Sequence, residues 1–308
     1  SIPILAITSD ISVAARGRYA LTELDQSALF RPLTKWNGVI ERAEDVPKML
    51  RAAFREMTTG RPGSAHLALP YDVQKGAMDA ADIWCDPDLG RHPAWPTGPD
   101  PAAVQRLAQV LLGARNPVIV CGGGVVLAGA EAELGILAEQ LAIPVATTIS
   151  GKGSISEDHP LAVGVVGSNG GVPETRRFME AADLLLLIGC RAGSVTTERW
   201  RYPAPGACLI AHIDSDPGVI GANYPTEAAM VGDARLALAA LNAEIGGRTA
   251  PQRDLNAAAV AQAKAAKFAA FQQLAESGER PIRPERLVAT LSELLDDDAV
   301  LIADPGTP

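Results

Sequence analysis

The stretch NPVIVCGGGVVLAGAEAEL, residues 116–134, decides the fold. Its first part, PVIVC, is apolar at every position, as a strand covered on both faces of a sheet must be. Gly122, Gly123 and Gly124 follow where that strand gives way to a helical pattern. Glycines there let backbone amides approach a phosphate near the positive end of a helix. The spacing is not G-x-G-x-x-G, so the dinucleotide fingerprint fails, and a tight turn accounts for the triplet as well as a nucleotide does.

Working outward, the same grammar repeats. A helix over 101–113 precedes PVIVC; a helix AEAELGILAEQL, a strand PVATT, a helix near 173–182, a strand LLLLIG and a strand CLIAHID follow it. Strands separated by helices give a parallel sheet with helices on both faces, so the expected class is α/β with a doubly wound central domain over 101–245. Upstream, AEDVPKMLRAAFREMTTG repeats apolar residues at three and four and predicts a helix, with Pro47 in its first turn and Gly60 just past its end. SAHLALP reads as the next strand, which makes residues 1–74 half of a further α/β domain. The Pro-, Asp- and Trp-rich stretch 75–100 reads as a linker. The Ala-rich segment 246–280 reads as a connecting helix. From 281 a last helix feeds an apolar run, residues 299–303, expected as a buried strand ending in a tight turn. The chain opens on a strand without an initiator Met and closes on that turn, so it reads as cut mid-domain at both ends.

Composition removes whole classes of function. A net charge of −9 and a pI near 5.0 give no electrostatic footprint for nucleic acid or an anionic membrane. Cys85, Cys121, Cys190 and Cys208 show no paired spacing and no His cluster, so neither a metal site nor a disulfide framework is indicated, and a reducing cytoplasm fits. No run reaches the ~18 apolar residues of a membrane helix.

The candidate site residues sit at strand ends, where open parallel sheets bind ligands. Thr148 follows one strand; a glycine-flanked stretch containing Gly164, Gly167 and Gly170 follows downstream. Arg191 stands just after LLLLIG, where a guanidinium can meet a diphosphate, and Asp214 ends AHID, where a carboxylate can accept ribose hydroxyls. Each has a plainer reading, as a surface ion pair or a cap. Lys35 in LFRPLTKW is a positive group that could face an anionic substrate. His66 and His212 lie within strand patterns and read as structural. The residues alone thus end at a nucleotide-shaped site with no evident catalytic group.

LFRPLTKW, TGRPGSAHLALPYDVQ, PVIVCGGGV, GKGSISEDHPLAVGVVG, LLLLIGCRAG, AHIDSDP and VLIADPGTP, in that order along the whole chain, resemble the successive signatures of thiamine-diphosphate-dependent enzymes of the acetolactate synthase type. The resemblance implies a doubly wound central domain flanked by partial α/β thiamine-diphosphate-binding domains. Residues 1–74 would end the pyrimidine-binding domain and residues 281–308 would begin the diphosphate-binding domain, with Gly306 and Thr307 in its first cofactor-facing loop. It further implies thiamine diphosphate with Mg2+ held by ligands outside this chain, an activating glutamate upstream of Ser1, a 2-oxo acid substrate and a homodimer or homotetramer. FAD in the central domain would meet Arg61, the turn from Gly164 to Gly170, Arg191 and Asp214, with Gly122 to Gly124 lining the cleft. The family's usual A-F-Q-E is Ala20-Leu21-Thr22-Glu23 here, its G-M-H-G turn is Gly167-Ser168-Asn169-Gly170, and GARFDDR becomes GCRAGSVTTER. Two rival readings stay open: an ADP-binding acyl-CoA decarboxylase of the oxalyl-CoA type, and a non-catalytic nucleotide-binding module.

Overall fold

The computed structural model of the chain describes residues 1–79, 83–248 and 253–302. A first, three-stranded parallel sheet has β3 (Ala65–Pro70) between β1 (Leu5–Asp10) and β2 (Trp36–Val39). Two helices accompany it, the short α1 (Gln26–Phe30) and α2 (Val46–Thr58). The apolar stripe of α2 presses Ala53 and Met57 onto Ala65 and Leu67 of β3. Gly60, at φ +57°, lets the chain leave the helix.

The second sheet is larger. Its strands are β4 (Pro117–Cys121), β5 (Val145–Thr147), β6 (Ala162–Val165), β7 (Leu184–Ile188), β8 (Leu209–Asp214) and β9 (Ala228–Val231). They run in the order β6-β5-β4-β7-β8-β9, all parallel. The order reverses direction between β4 and β7, which makes that boundary the topological switch point.

Because side chains alternate along a strand, each strand feeds two cores. Ile119, Leu184, Leu186, Ile188, Ala211 and Ile213 face one side, where α3 (Pro101–Gly113), α5 (Glu131–Leu141) and α7 (Ala234–Ile245) pack. Val118, Val120, Leu185, Leu187 and Ile210 face the other, against Phe178 and Met179 of α6 (Pro173–Ala181) and Val260 of α8 (Ala257–Ala275). Each fully buried Leu or Ile contributes about 1.5–3 kcal/mol. Caps set the helix starts: Asp100, Asp233 and Asn256 accept amides from the first turns of α3, α7 and α8. The doubly wound parallel architecture expected from PVIVC and LLLLIG is the one observed.

Several elements differ from expectation. The short α4 (Gly123–Ala128) intervenes before α5, and β6 and β9 are strands that the sequence pattern did not announce. At the other end, α9 (Pro284–Leu294) forms as expected, but residues 299–302 are not a strand. Val300 and Ile302 are 86% and 90% exposed, and among the described residues no neighbouring strand supplies a ladder for them. Among the described residues no helix is long and apolar enough to cross a membrane.

Candidate functional site

The C-terminal ends of β4, β5, β7 and β8 share one edge of the large sheet, and most candidate residues collect there. Gly122 donates its amide to Ile188 O (2.9 Å) and Gly124 donates to Gly189 O (3.2 Å). A Cβ on Gly122 would stand 2.1 Å from Gly189 O, and one on Gly124 would stand 2.7 Å from Gly189 Cα. These glycines therefore let the turn after β4 lie directly on the turn after β7, closing the switch point. A Cβ on Gly123 would come 3.2 Å from Ser150 O, so the triplet also seats the loop after β5. Thr148 is buried, donates its own amide to Cys121 O (2.9 Å) and accepts the Gly151 amide on Oγ1 (3.1 Å).

Gly164 lies inside β6 and not in the turn beyond it. The register shifts between Val145 and Ala146, a bulge that absorbs the left-handed backbone of Gly164 at φ +102°. The turn proper holds Gly167 and Gly170, both at φ +101°. A side chain on Gly167 would strike Val195 O at 2.4 Å, and Ser168 donates its amide to the same oxygen at 2.8 Å. The turn after β6 is thus fastened to the loop that follows β7.

Arg191 begins that loop and is exposed, with its carbonyl held by Asn223 Nδ2 (2.9 Å). Asp214 ends β8 almost wholly buried and accepts the Asp216 amide on Oδ1 (2.9 Å). Burial pushes its carboxyl above the usual carboxylate range, against the opposing pull of that amide. His212, two residues earlier, has its ring pushed toward the neutral form by burial, and its Nε2 has no hydrogen-bond partner among the described residues. With Arg191, Tyr224 and Thr226 it lines a 10 Å³ cavity, room for about one water.

Arg61 reaches this edge from the first sheet, 3.7 Å from Asp216, and donates to Ser1 Oγ (3.0 Å). Lys35 lies beside it. Its Nζ donates to Thr59 O (2.7 Å) and Arg61 O (2.9 Å), so the ammonium ties together the turn that follows α2. Partial burial lowers its pKa, with Glu56 and Asp216 opposing. Gly306 and Thr307 lie outside the described residues. At the C-terminal edge of the first sheet, a 290 Å³ cleft is lined by Asp10, Arg16, Glu23, Asp25 and Gln26.

Sequence reasoning missed the Asp216–Arg61 contact, Gly189 and the Arg176–Glu198 pair. It also missed the end of β9, although the run VGDA, a glycine and a capping aspartate before an apolar helix, carried the signal: Asp233 accepts the amides of Arg235 and Leu236.

Residues 104–241 match the family described as thiamine pyrophosphate enzyme, central domain. A probable acetolactate synthase large subunit of Methanocaldococcus jannaschii is 38% identical over 96% of this chain and 49% of its own length. The acetolactate synthase large subunit of Corynebacterium glutamicum is 32% identical over 99% of this chain and 48% of its own. Isozyme 3 of Escherichia coli K12 is 28% identical over 99% and 53%. The chain thus spans about half the length of the curated relatives it matches. Residues 104–241 thus match the thiamine pyrophosphate enzyme central-domain family, in a chain that is acetolactate synthase-like along nearly its whole length.

Proposed function

We propose that the protein is a thiamine-diphosphate-dependent carboligase or decarboxylase acting on a 2-oxo acid, and that it carries an FAD-type nucleotide at the C-terminal edge of its large sheet. One observation carries the nucleotide reading: Arg191 follows β7, which borders the switch point where doubly wound sheets take nucleotides, Asp214 ends the neighbouring β8, and the Gly167–Gly170 turn is fastened to the loop that Arg191 begins. Asp214 uses Oδ1 for the Asp216 amide, and a ribose hydroxyl would donate to its other oxygen. Arg191 would take a diphosphate, with Arg61 approaching from the first sheet.

Thiamine diphosphate, when bound with magnesium, supplies a carbanion that adds to a 2-oxo acid and an electron sink as carbon dioxide leaves. In this reading the central sheet holds a nucleotide and contributes no proton transfer. Assembly into at least a homodimer belongs to the same reading.

Mass spectrometry of small molecules released on denaturing the purified protein tests the nucleotide. FAD supports the reading, ADP redirects it to acyl-CoA chemistry, and release of neither, with no binding of either on addition, overturns it. Consumption of 2-oxo acids that requires both thiamine diphosphate and magnesium tests the activity.

A further inference from the structure

Glu198, Arg199 and Trp200 are three consecutive non-glycine residues with φ of 49°, 62° and 58°. Side chains of L-residues disfavour that region, and a run of three persists only where the surroundings hold it. The holding contact is Arg176 on α6. Its Nε donates to Glu198 Oε1 (2.7 Å) and its Nη2 to Oε2 (2.9 Å), a two-pronged pair with the Glu198 side chain buried. The guanidinium also lies 4.9 Å from the Tyr202 ring centroid. Thr197 tightens the turn from within, donating to Gly193 O and accepting the Trp200 amide.

The same loop begins at Arg191 and presents Val195 O to the Gly167 turn. One ion pair therefore stands behind both faces of the proposed nucleotide edge. We propose that Arg176 and Glu198 are positioning residues: they latch the loop over residues 190–201 in its left-handed turn and so hold Arg191 where a nucleotide diphosphate binds. The proposal rests on the nucleotide reading above and adds the device that prepares the site. Neither residue touches the ligand.

The test titrates FAD and ADP separately into the nucleotide-stripped protein and follows trypsin cleavage at Arg199 and Arg201, both exposed on the loop. Arg176→Met removes the guanidinium, and with it the pair, while keeping an unbranched apolar stem. If it leaves the loop closed in about a tenth of molecules, affinity falls about tenfold and cleavage quickens. Arg176→Lys, which cannot make the two-pronged contact, should recover only part of the affinity. Glycine is at ease in the left-handed region, so Arg199→Gly should shrink the Arg176→Met effect on affinity and on cleavage at Arg201, the site it leaves, and it supplies a background in which that variant folds. Faster cleavage with unchanged affinity makes the pair merely structural and overturns the proposal, as does no change in either. A wild-type protein that binds neither nucleotide defeats the nucleotide reading and the positioning role with it, while the cleavage comparison still reports whether the pair holds the loop.

Discussion

Two parallel sheets in one chain, built from the same strand–helix units, differ in how they are covered. In the large sheet β4 and β7 are buried at every residue, because α3, α5 and α7 close one face and α6 and α8 close the other. In the first sheet only the middle strand β3 is nearly so buried, while β1 alternates and leaves Ile7 55% exposed. Parallel pairing alone does not bury a strand; helices on both faces do. The difference predicts where stability resides, and the largest test deletes core. Leu186→Ala on β7 should cost about 2–5 kcal/mol, whereas Ile7→Ala on β1 should stay within about 0.5 kcal/mol. Urea denaturation measures both, and comparable losses would break the contrast.

A second test replaces a hydrogen with a methyl group. Gly122→Ala puts a carbon 2.1 Å from the Gly189 carbonyl, backbone against backbone, and should cost about 1–3 kcal/mol or more as the switch point opens. Gly193→Ala, with nothing within 4 Å of the added atom, is the matched control and should be near neutral. A tolerated Gly122→Ala would mean that the turns after β4 and β7 can part freely, and the closed edge would lose its role in placing Arg191.

How much of this was legible follows from what each residue's neighbours are. PVIVC and LLLLI announced themselves because strands buried on both faces are apolar throughout. AVGV and AAMV did not: they are short edge strands, small in side chain, and one carries a left-handed glycine at a bulge. Arg191 and Asp214 could be placed at the ends of β7 and β8 because each directly follows or closes an apolar strand run, and a rule makes such ends candidates for ligand sites. No such rule links Arg176 to Glu198, 22 residues apart on different elements. That Lys35 holds the carbonyls of Thr59 and Arg61 was not legible, because those groups lie 24 and 26 residues further along the chain. The run 299–303 had strand composition, but a strand exists only in a ladder, and among the described residues none is beside 299–302.

Asp214 sharpens the contrast by showing the large sheet giving up stability at its edge. Its folded carboxyl is raised above the unfolded value of 3.8, so its ionised form is favoured more in the unfolded chain. The contribution is full below that value and is lost as pH rises through the folded one. Asp214→Asn should therefore make the protein slightly more stable at neutral pH, by a smaller margin than the substitutions above, while weakening nucleotide binding. Thermal melts across pH, read beside FAD and ADP titrations, check both. A variant that loses stability instead would assign Asp214 to the scaffold.

The smallest effect compares the two sheets within one titration. His66 on β3 has Nε2 2.8 Å from Thr8 Oγ1 and its ring stacked 3.8 Å from Phe30, with Nδ1 buried and lacking a partner among the described residues; His212 on β8 leaves Nε2 in the same condition. Protonation would give each ring a buried N–H with no acceptor. Burial lowers both folded pKa values below the ordinary 6.5, so the unfolded chain takes up protons first and stability falls as pH drops through that value toward the folded one. His66→Gln should flatten this decline in the first sheet and His212→Gln in the large one, which amide exchange on β3 and β8 resolves separately. Because the first sheet has less cover, acid should open it first. If β3 and β8 lose protection together, and either substitution protects both, the two sheets unfold as one unit and their unequal burial does not translate into unequal local stability.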